Sequence, residues 1–372
     1  MEALSLLIKP ASGCCNMRCS YCFYSDVTNI RAVKNRGFMT LETLETIVRK
    51  ALHEAGKHCM IGFQGGEPTL AGLDFFRNLI EFEKKHNINN VQITHTLQTN
   101  GLMLDGSWAE FFRENKFLIG LSIDASKQIH NSFRPDAQGK GTHNRSIQAA
   151  QLLTKSKVEF NILSVVTRQF ARHPESAYRF YKQNKFRFIQ FIPCLDGLSG
   201  QQGASYYSLD AVSYGKFLCS IFDQWYTDIE RNDYYSIRAF DNYVRMLAGQ
   251  PAESCSMKGV CTAYALIEAD GSVYPCDFYA IDEYLLGNVN THDFEEMLTG
   301  CKAERFISPS RQIDPTCASC EYHFICKGGC RRDREPVKNG VPLLNRYCEA
   351  YKLFFSYALP RLKAISLRLG YN

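Results

Sequence analysis

No block of like charge occurs in these 372 residues: 43 Lys and Arg face 38 Asp and Glu, and the formal net charge of +5 is spread along the chain. That excludes the concentrated basic surface of a nucleic-acid-binding protein. Long apolar runs are also missing. The longest, such as 117–123 and 186–192, are strand-sized and too short to span a bilayer. The N-terminal MEALSLLIKP lacks the basic stretch and small-residue cleavage site of an export signal, so a cytoplasmic, non-membrane protein is expected. Internal repeats and low-complexity tracts are absent, which excludes solenoid and disordered classes. With 45% hydrophobic residues the chain can pack one large α/β domain and a smaller one.

Cysteine is what the chain has in excess. Sixteen thiols in a reducing compartment do not persist as disulfides, so metal ligation is the stronger reading. Eleven fall into clustered spacings. Cys14, Cys59, Cys194, Cys219 and Cys301 stand outside every pattern and are expected to be buried small hydrophobes.

From residue 4 to about 192, β-branched or aromatic runs (LSLLI, MIGFQ, VQITHTLQT, FLIGLSID, VEFNILSVVT, FRFIQFIP) alternate with helical patterns. Thr40 and Asp105 stand as start signals before two of those helices. Six such units predict parallel strands in an open, partial (β/α)6 TIM-type barrel, with functional loops at the C-terminal strand ends. Past residue 208 comes a long helical stretch, and the first domain is expected to cover 1–230. The second, 231–372, is rich in Cys, Gly and Pro. It holds a hairpin signal at Asp270-Gly271 and closes on a helical tail interrupted by Pro360.

Cys15, Cys19 and Cys22 form C-x3-C-x2-C in the loop after the first strand. Three thiolates leave one iron of a [4Fe-4S] cube open, and an open iron can chelate the amino and carboxylate groups of S-adenosylmethionine (SAM). The sequence here resembles the radical SAM superfamily. By that resemblance Tyr21 lies beside the adenine. Gly65-Gly66-Glu67-Pro68 matches the family's GGEP element, so Gly66 and Glu67 would bind the SAM ammonium group. Ser122 contacts SAM, Arg134 pairs with its carboxylate, and the Leu195 backbone touches the adenine. Gln64, Gln98 and Asn100 also fall at strand ends, where they line the cavity or close strand hydrogen bonds.

Eight further thiols follow: Cys255, Cys261, Cys276, Cys317, Cys320, Cys326, Cys330 and Cys348. Paired CxxC units of zinc-ribbon spacing and the His content of common zinc fingers are absent. The C-x9-G-x4-C and C-x2-C-x5-C-x3-C elements resemble the SPASM extension of radical SAM peptide-modifying enzymes. The resemblance implies two auxiliary clusters, hence three [4Fe-4S] clusters in all. Cys255, Cys261, Cys276 and Cys330 would hold an inner auxiliary cluster, and Cys317, Cys320, Cys326 and Cys348 an outer one.

LLIKP, CxYCFY, GFQGGEPTL and PCDFY make the whole chain similar to the anaerobic sulfatase-maturating enzymes. That family oxidises a Cys or Ser in a sulfatase C/S-x-P-x-R segment to formylglycine. Asp277 matches its catalytic base, and a flavodoxin- or ferredoxin-type electron donor is implied. A SPASM maturase forming thioether or carbon-carbon links is the alternative, disfavoured because only 14 residues precede Cys15. A zinc-binding interaction protein is the remote one.

Overall fold

The computed structural model describes residues 1–198, 200–338 and 340–368. Six strands, β1 (Ala3–Ile8), β2 (His58–Phe63), β3 (Gln92–Thr99), β4 (Leu118–Ser122), β5 (Phe160–Val166) and β6 (Phe188–Pro193), pair in sequence order, each parallel to the next. Each of these strands falls on one of the β-branched or aromatic runs. Parallel order requires a crossover between neighbours, and helices supply it. Leu41–Glu54 starts on Thr40, whose side chain accepts from the Thr43 N–H. Gly106–Glu114 starts on Asp105, which accepts from Ser107 and Trp108. The mixed α/β sheet with mostly parallel strands is the expected partial barrel. Leu6, Ile8, Ile61, Phe63, Leu97, Ile119, Leu121 and Ile162 are buried in its core.

The sheet does not stop at the barrel. β7 (Ser236–Ile237) extends β6 in parallel, and β8 (Ala265–Ile267) joins the far edge, parallel to β1. β9 (Ser272–Tyr274) returns antiparallel through the expected Asp270-Gly271 turn, where Gly271 takes a φ of +82°, and β10 (Gly287–Asn288) completes ten strands. Residues of both expected domains therefore share one sheet and one core.

Two expectations need correcting. Pro360 does not interrupt the tail: Cys348–Arg368 is one helix, while 369 and 370 lie outside the described residues. A proline removes one backbone hydrogen bond and crowds the preceding turn. Here Ala358 and Leu362, on either side of it, are fully buried, and Arg361 donates to Asp223 at 2.8 Å, so packing against Ala211–Glu230 holds the helix through the defect. The unclustered cysteines also divide. Cys59 and Cys194 are buried, but Cys14 and Cys219 are half-buried, and Cys301 is exposed at the start of the helix Cys301–Ile307, where it faces no core. Among the described residues no helix is long and apolar enough to cross a membrane.

Candidate active site

The loop after β1 carries the first three clustered thiols, and two other loops hold it in place. Arg18 and Ser20 donate backbone N–H groups to Pro135 and Phe133, both at 2.9 Å, which binds the loop to the segment bearing Arg134. Gly66 and Glu67 donate to Ser12 and Cys14 at 2.9 and 2.8 Å. A Cβ on Gly66 would stand 1.9 Å from the Cys14 carbonyl oxygen, so glycine is needed here for loop-to-loop contact.

The thiols themselves form three groups. Cys15 feels Cys19 and Cys22, and burial pushes its pKa up to about 12; burial lifts Cys19 to about 11 against the pull of Arg134. In the second module Cys276 feels Cys330 and Cys261, Cys330 feels Cys261 and Cys255, and Cys255 feels Cys261. Separately, Cys326 feels Cys317, Cys348 and Cys320, Cys348 feels Cys317 and Cys320, and Cys317 feels Cys320. Cys317, Cys320, Cys326 and Cys348 line a single cavity, with Tyr322 and Lys352 beside them. Among the described residues no three His, Cys, Asp or Glu side chains stand close enough to hold one metal ion. Thiols set around a cavity suit a polynuclear cluster, in which each sulfur binds a different iron.

Around the first group the residues expected at SAM sit in a buried network. The Tyr21 hydroxyl donates to Asp124 and accepts from Arg134 Nη1 at 2.9 Å, and its ring lies 5.9 Å from that of Phe133. Arg134 is 7% exposed, and its Nε has no hydrogen-bond partner. His130 fixes the Arg134 backbone through Thr142: the imidazole lies 3.0 Å from Thr142 Oγ1, which donates to the Arg134 carbonyl at 2.6 Å. Burial and the nearby Arg134 push the His130 pKa down to about 2. Glu67 is buried in a separate set of hydrogen bonds, within electrostatic reach of Cys15. Its Oε1 accepts from the Thr69 N–H, Thr69 Oγ1 and Thr99 Oγ1, whereas Oε2 accepts only the Asn100 N–H at 2.8 Å and keeps capacity for another donor. Asn100 Nδ2 reaches Asn16 at 2.7 Å, so Asn100 braces the cysteine loop; Ser122 ends β4, and Leu195 follows β6.

Asp277 opens a short 3-10 turn, Asp277–Tyr279, that packs on the helix Phe23–Asn29, with the Phe278 and Phe23 rings edge-on at 4.9 Å. That helix begins directly after Cys22, so the turn packs on the element that continues the first cysteine loop, while the Asp277 carboxylate itself lies 3.6 Å from Cys276 Sγ of the second group. Sequence reasoning did not single out Tyr264, which donates to Asp277 Oδ1 at 2.5 Å. It also missed a fully buried pair, Arg31 and Glu268, 2.7 Å apart, which joins the cysteine loop to β8 with help from Ser12 and Tyr24. Lys9 was missed as well. The one visible signal was a lysine set between an apolar strand and a proline, in LLIKP.

Comparison with known proteins accounts for this assembly. The Radical SAM superfamily model matches residues 10–180, and the SPASM model, an iron-sulfur cluster-binding domain, matches 255–321. A cysteine-type anaerobic sulfatase-maturating enzyme of Clostridium perfringens is 48% identical over 97% of this chain and 98% of its own. One from Clostridium novyi is 43% identical over the full length of both. A serine-type enzyme of Bacteroides thetaiotaomicron is 30% identical over 96% and 90%. The solved structure of native anSMEcpe with bound AdoMet and Cp18Cys peptide superposes with a TM-score of 0.94 at 47% identity, covering 99% of both chains. Streptococcus suis SuiB bound to a precursor peptide, at 19% identity and a TM-score of 0.64 over 93% of this chain and 75% of its own, shares the fold. With a [4Fe-4S] cluster and SAM in the barrel and auxiliary clusters in the second module, the chain belongs to the anaerobic sulfatase-maturating enzymes of the radical SAM superfamily.

Proposed function

We propose that this chain oxidises the cysteine of a sulfatase C-x-P-x-R segment to formylglycine without oxygen, acting in the cytoplasm with a flavodoxin- or ferredoxin-type donor. One observation carries the choice of cysteine over serine: relatives of the cysteine type reach 43–48% identity, and those of the serine type 29–30%. Cys15, Cys19 and Cys22 hold the cluster that binds SAM. Cys255, Cys261, Cys276 and Cys330 hold the inner auxiliary cluster, and Cys317, Cys320, Cys326 and Cys348 the outer one. The mutual electrostatic grouping of these thiols supports that partition. The first domain ends near 230 and the second begins at 231.

When bound, SAM and its cluster supply hydrogen-atom abstraction from the substrate Cβ, and the auxiliary clusters supply an acceptor for the remaining electron. The protein does the rest. Arg134 offers its unpartnered buried Nε to the SAM carboxylate, and Glu67 Oε2 takes the ammonium group next to Gly66. Tyr21, Ser122 and the Leu195 backbone bound the nucleoside. Asp277 removes the thiol proton, held for that task by Tyr264.

The test is incubation of the reduced, cluster-loaded enzyme with SAM and two peptides, one carrying CxPxR and one SxPxR, followed by mass spectrometry. Conversion of the first to formylglycine ahead of the second is expected. A thioether or carbon-carbon crosslink, or no product from either peptide, would overturn this assignment.

A further inference from the structure

Lys9 directly follows the apolar β1 strand and is completely buried. Its Nζ has no hydrogen-bond partner and lies 3.8 Å above the centre of the Tyr24 ring. The stem is gripped from the other side, because a Cβ on Gly65 would come within 3.1 Å of Lys9 Cβ and Cγ.

The neighbouring charges explain why it stays unpaired. Glu268 would be the natural partner, but Oε1 is taken by Arg31 and Tyr24 and Oε2 by Ser12. Arg31 repels Lys9, whereas Asp277 and Glu268 attract it. A buried amine with unmade hydrogen bonds is costly, and folds tolerate that cost where the group is used. Lys9 thus keeps unmade N–H bonds beside the Tyr24 ring, within electrostatic reach of the Asp277 carboxylate and of Cys22.

Resting on the cysteine oxidation assigned above, we propose that Lys9 is a further substrate-binding residue. Its Nζ donates a hydrogen bond to the sulfur of the reacting cysteine while Asp277 accepts the proton from that same sulfur. The S–H bond breaks toward the carboxylate, and the Nζ–H remains on the nitrogen, facing the sulfur as its negative charge develops. A thiol gripped from both sides keeps its Cβ–H in one orientation.

Lys9→Met keeps the stem and removes the donor. Binding of CxPxR peptide and of its Cys→Ala analogue to the cluster-loaded parent and variant, with SAM present, separates the possibilities. Expected is about a 10-fold loss of affinity for the Cys peptide in the variant, with none for the Ala peptide, since only the former offers a sulfur. Iron content and SAM affinity should be unchanged, the Tm should be equal or higher, and formylglycine formation should fall about 100-fold. Equal losses for both peptides, a loss of SAM binding, or a variant short of iron or lower in Tm would overturn the role of Lys9. A parent enzyme that binds the Cys peptide but makes no formylglycine would instead overturn the cysteine-oxidation reading.

Discussion

Tyr264 and Asp277 bond to each other twice: the phenol donates to the carboxylate at 2.5 Å and accepts the Asp277 backbone N–H at 2.9 Å. The ring therefore fixes the turn and the side chain together, which a caught surface carboxylate would not need. The adjoining Cys276 Sγ lies 3.6 Å from the same carboxylate oxygen.

Asp277→Asn keeps the shape of the turn but not the base. Iron content and SAM binding should be retained, 5′-deoxyadenosine should still form with peptide present, and formylglycine should fall about 100-fold or more. Quantifying both products in one reaction checks this. Formylglycine at the parent rate would return Asp277 to a structural role.

Tyr264→Phe leaves the base in place with a freer side chain. We expect full iron content and a smaller loss of formylglycine than in Asp277→Asn, with stability lower by about 1 kcal/mol from the abandoned, partly buried hydrogen bonds. Thermal unfolding and peptide turnover measured side by side give both numbers. A loss as large as that of Asp277→Asn would mean that Tyr264 itself handles the proton.

Replacing Cys15, Cys19 and Cys22 together by Ala should abolish SAM cleavage and leave about eight irons per chain, because the other two thiol groups are separate. Gly66→Ala should imitate this more mildly. The added methyl displaces the Cys14 backbone at a cost of about 1–3 kcal/mol and loosens the first cluster while sparing the auxiliary iron. Iron assay with 5′-deoxyadenosine detection checks both; a Gly66→Ala protein with normal SAM cleavage would contradict the close approach.

His130 gives a pH dependence with a definite sign. It is buried and its pKa lies near about 2, against 6.5 for the ordinary side chain. Below pH 6.5 the unfolded chain takes up a proton that the folded chain refuses, so stability falls as pH drops from there toward 2. His130 alone contributes about 1.4 kcal/mol per pH unit. Its removal in His130→Gln should flatten the slope of unfolding free energy between pH 6 and pH 5.

All six barrel strands, both side-chain caps and the Asp270-Gly271 hairpin were legible in the sequence, because each follows from short-range periodicity or from one residue's local chemistry. What escaped is tertiary. The Tyr264 bond to Asp277 bridges 13 positions and Glu268 meets Arg31 across 237, and neither distance leaves a trace in spacing. Cys301 misled for the opposite reason: residue type implied burial, but its place at the start of a surface helix decided otherwise. Pro360 misled because local propensity was read without the packing that overrides it.

The pairing of β8 with β1 has a consequence for biosynthesis. Leu6, Leu7 and Ile8 find their outer neighbours only in Ala265, Leu266 and Ile267, so the first strand off the ribosome keeps an unpaired edge until more than two thirds of the chain has emerged. A bare edge strand invites pairing with other chains. A nascent or truncated barrel would carry its first cysteine loop beside that edge, without Glu268 to anchor it. Iron loading of the first site should accordingly wait for the second module, and fragments ending before residue 265 should aggregate rather than yield a smaller working enzyme.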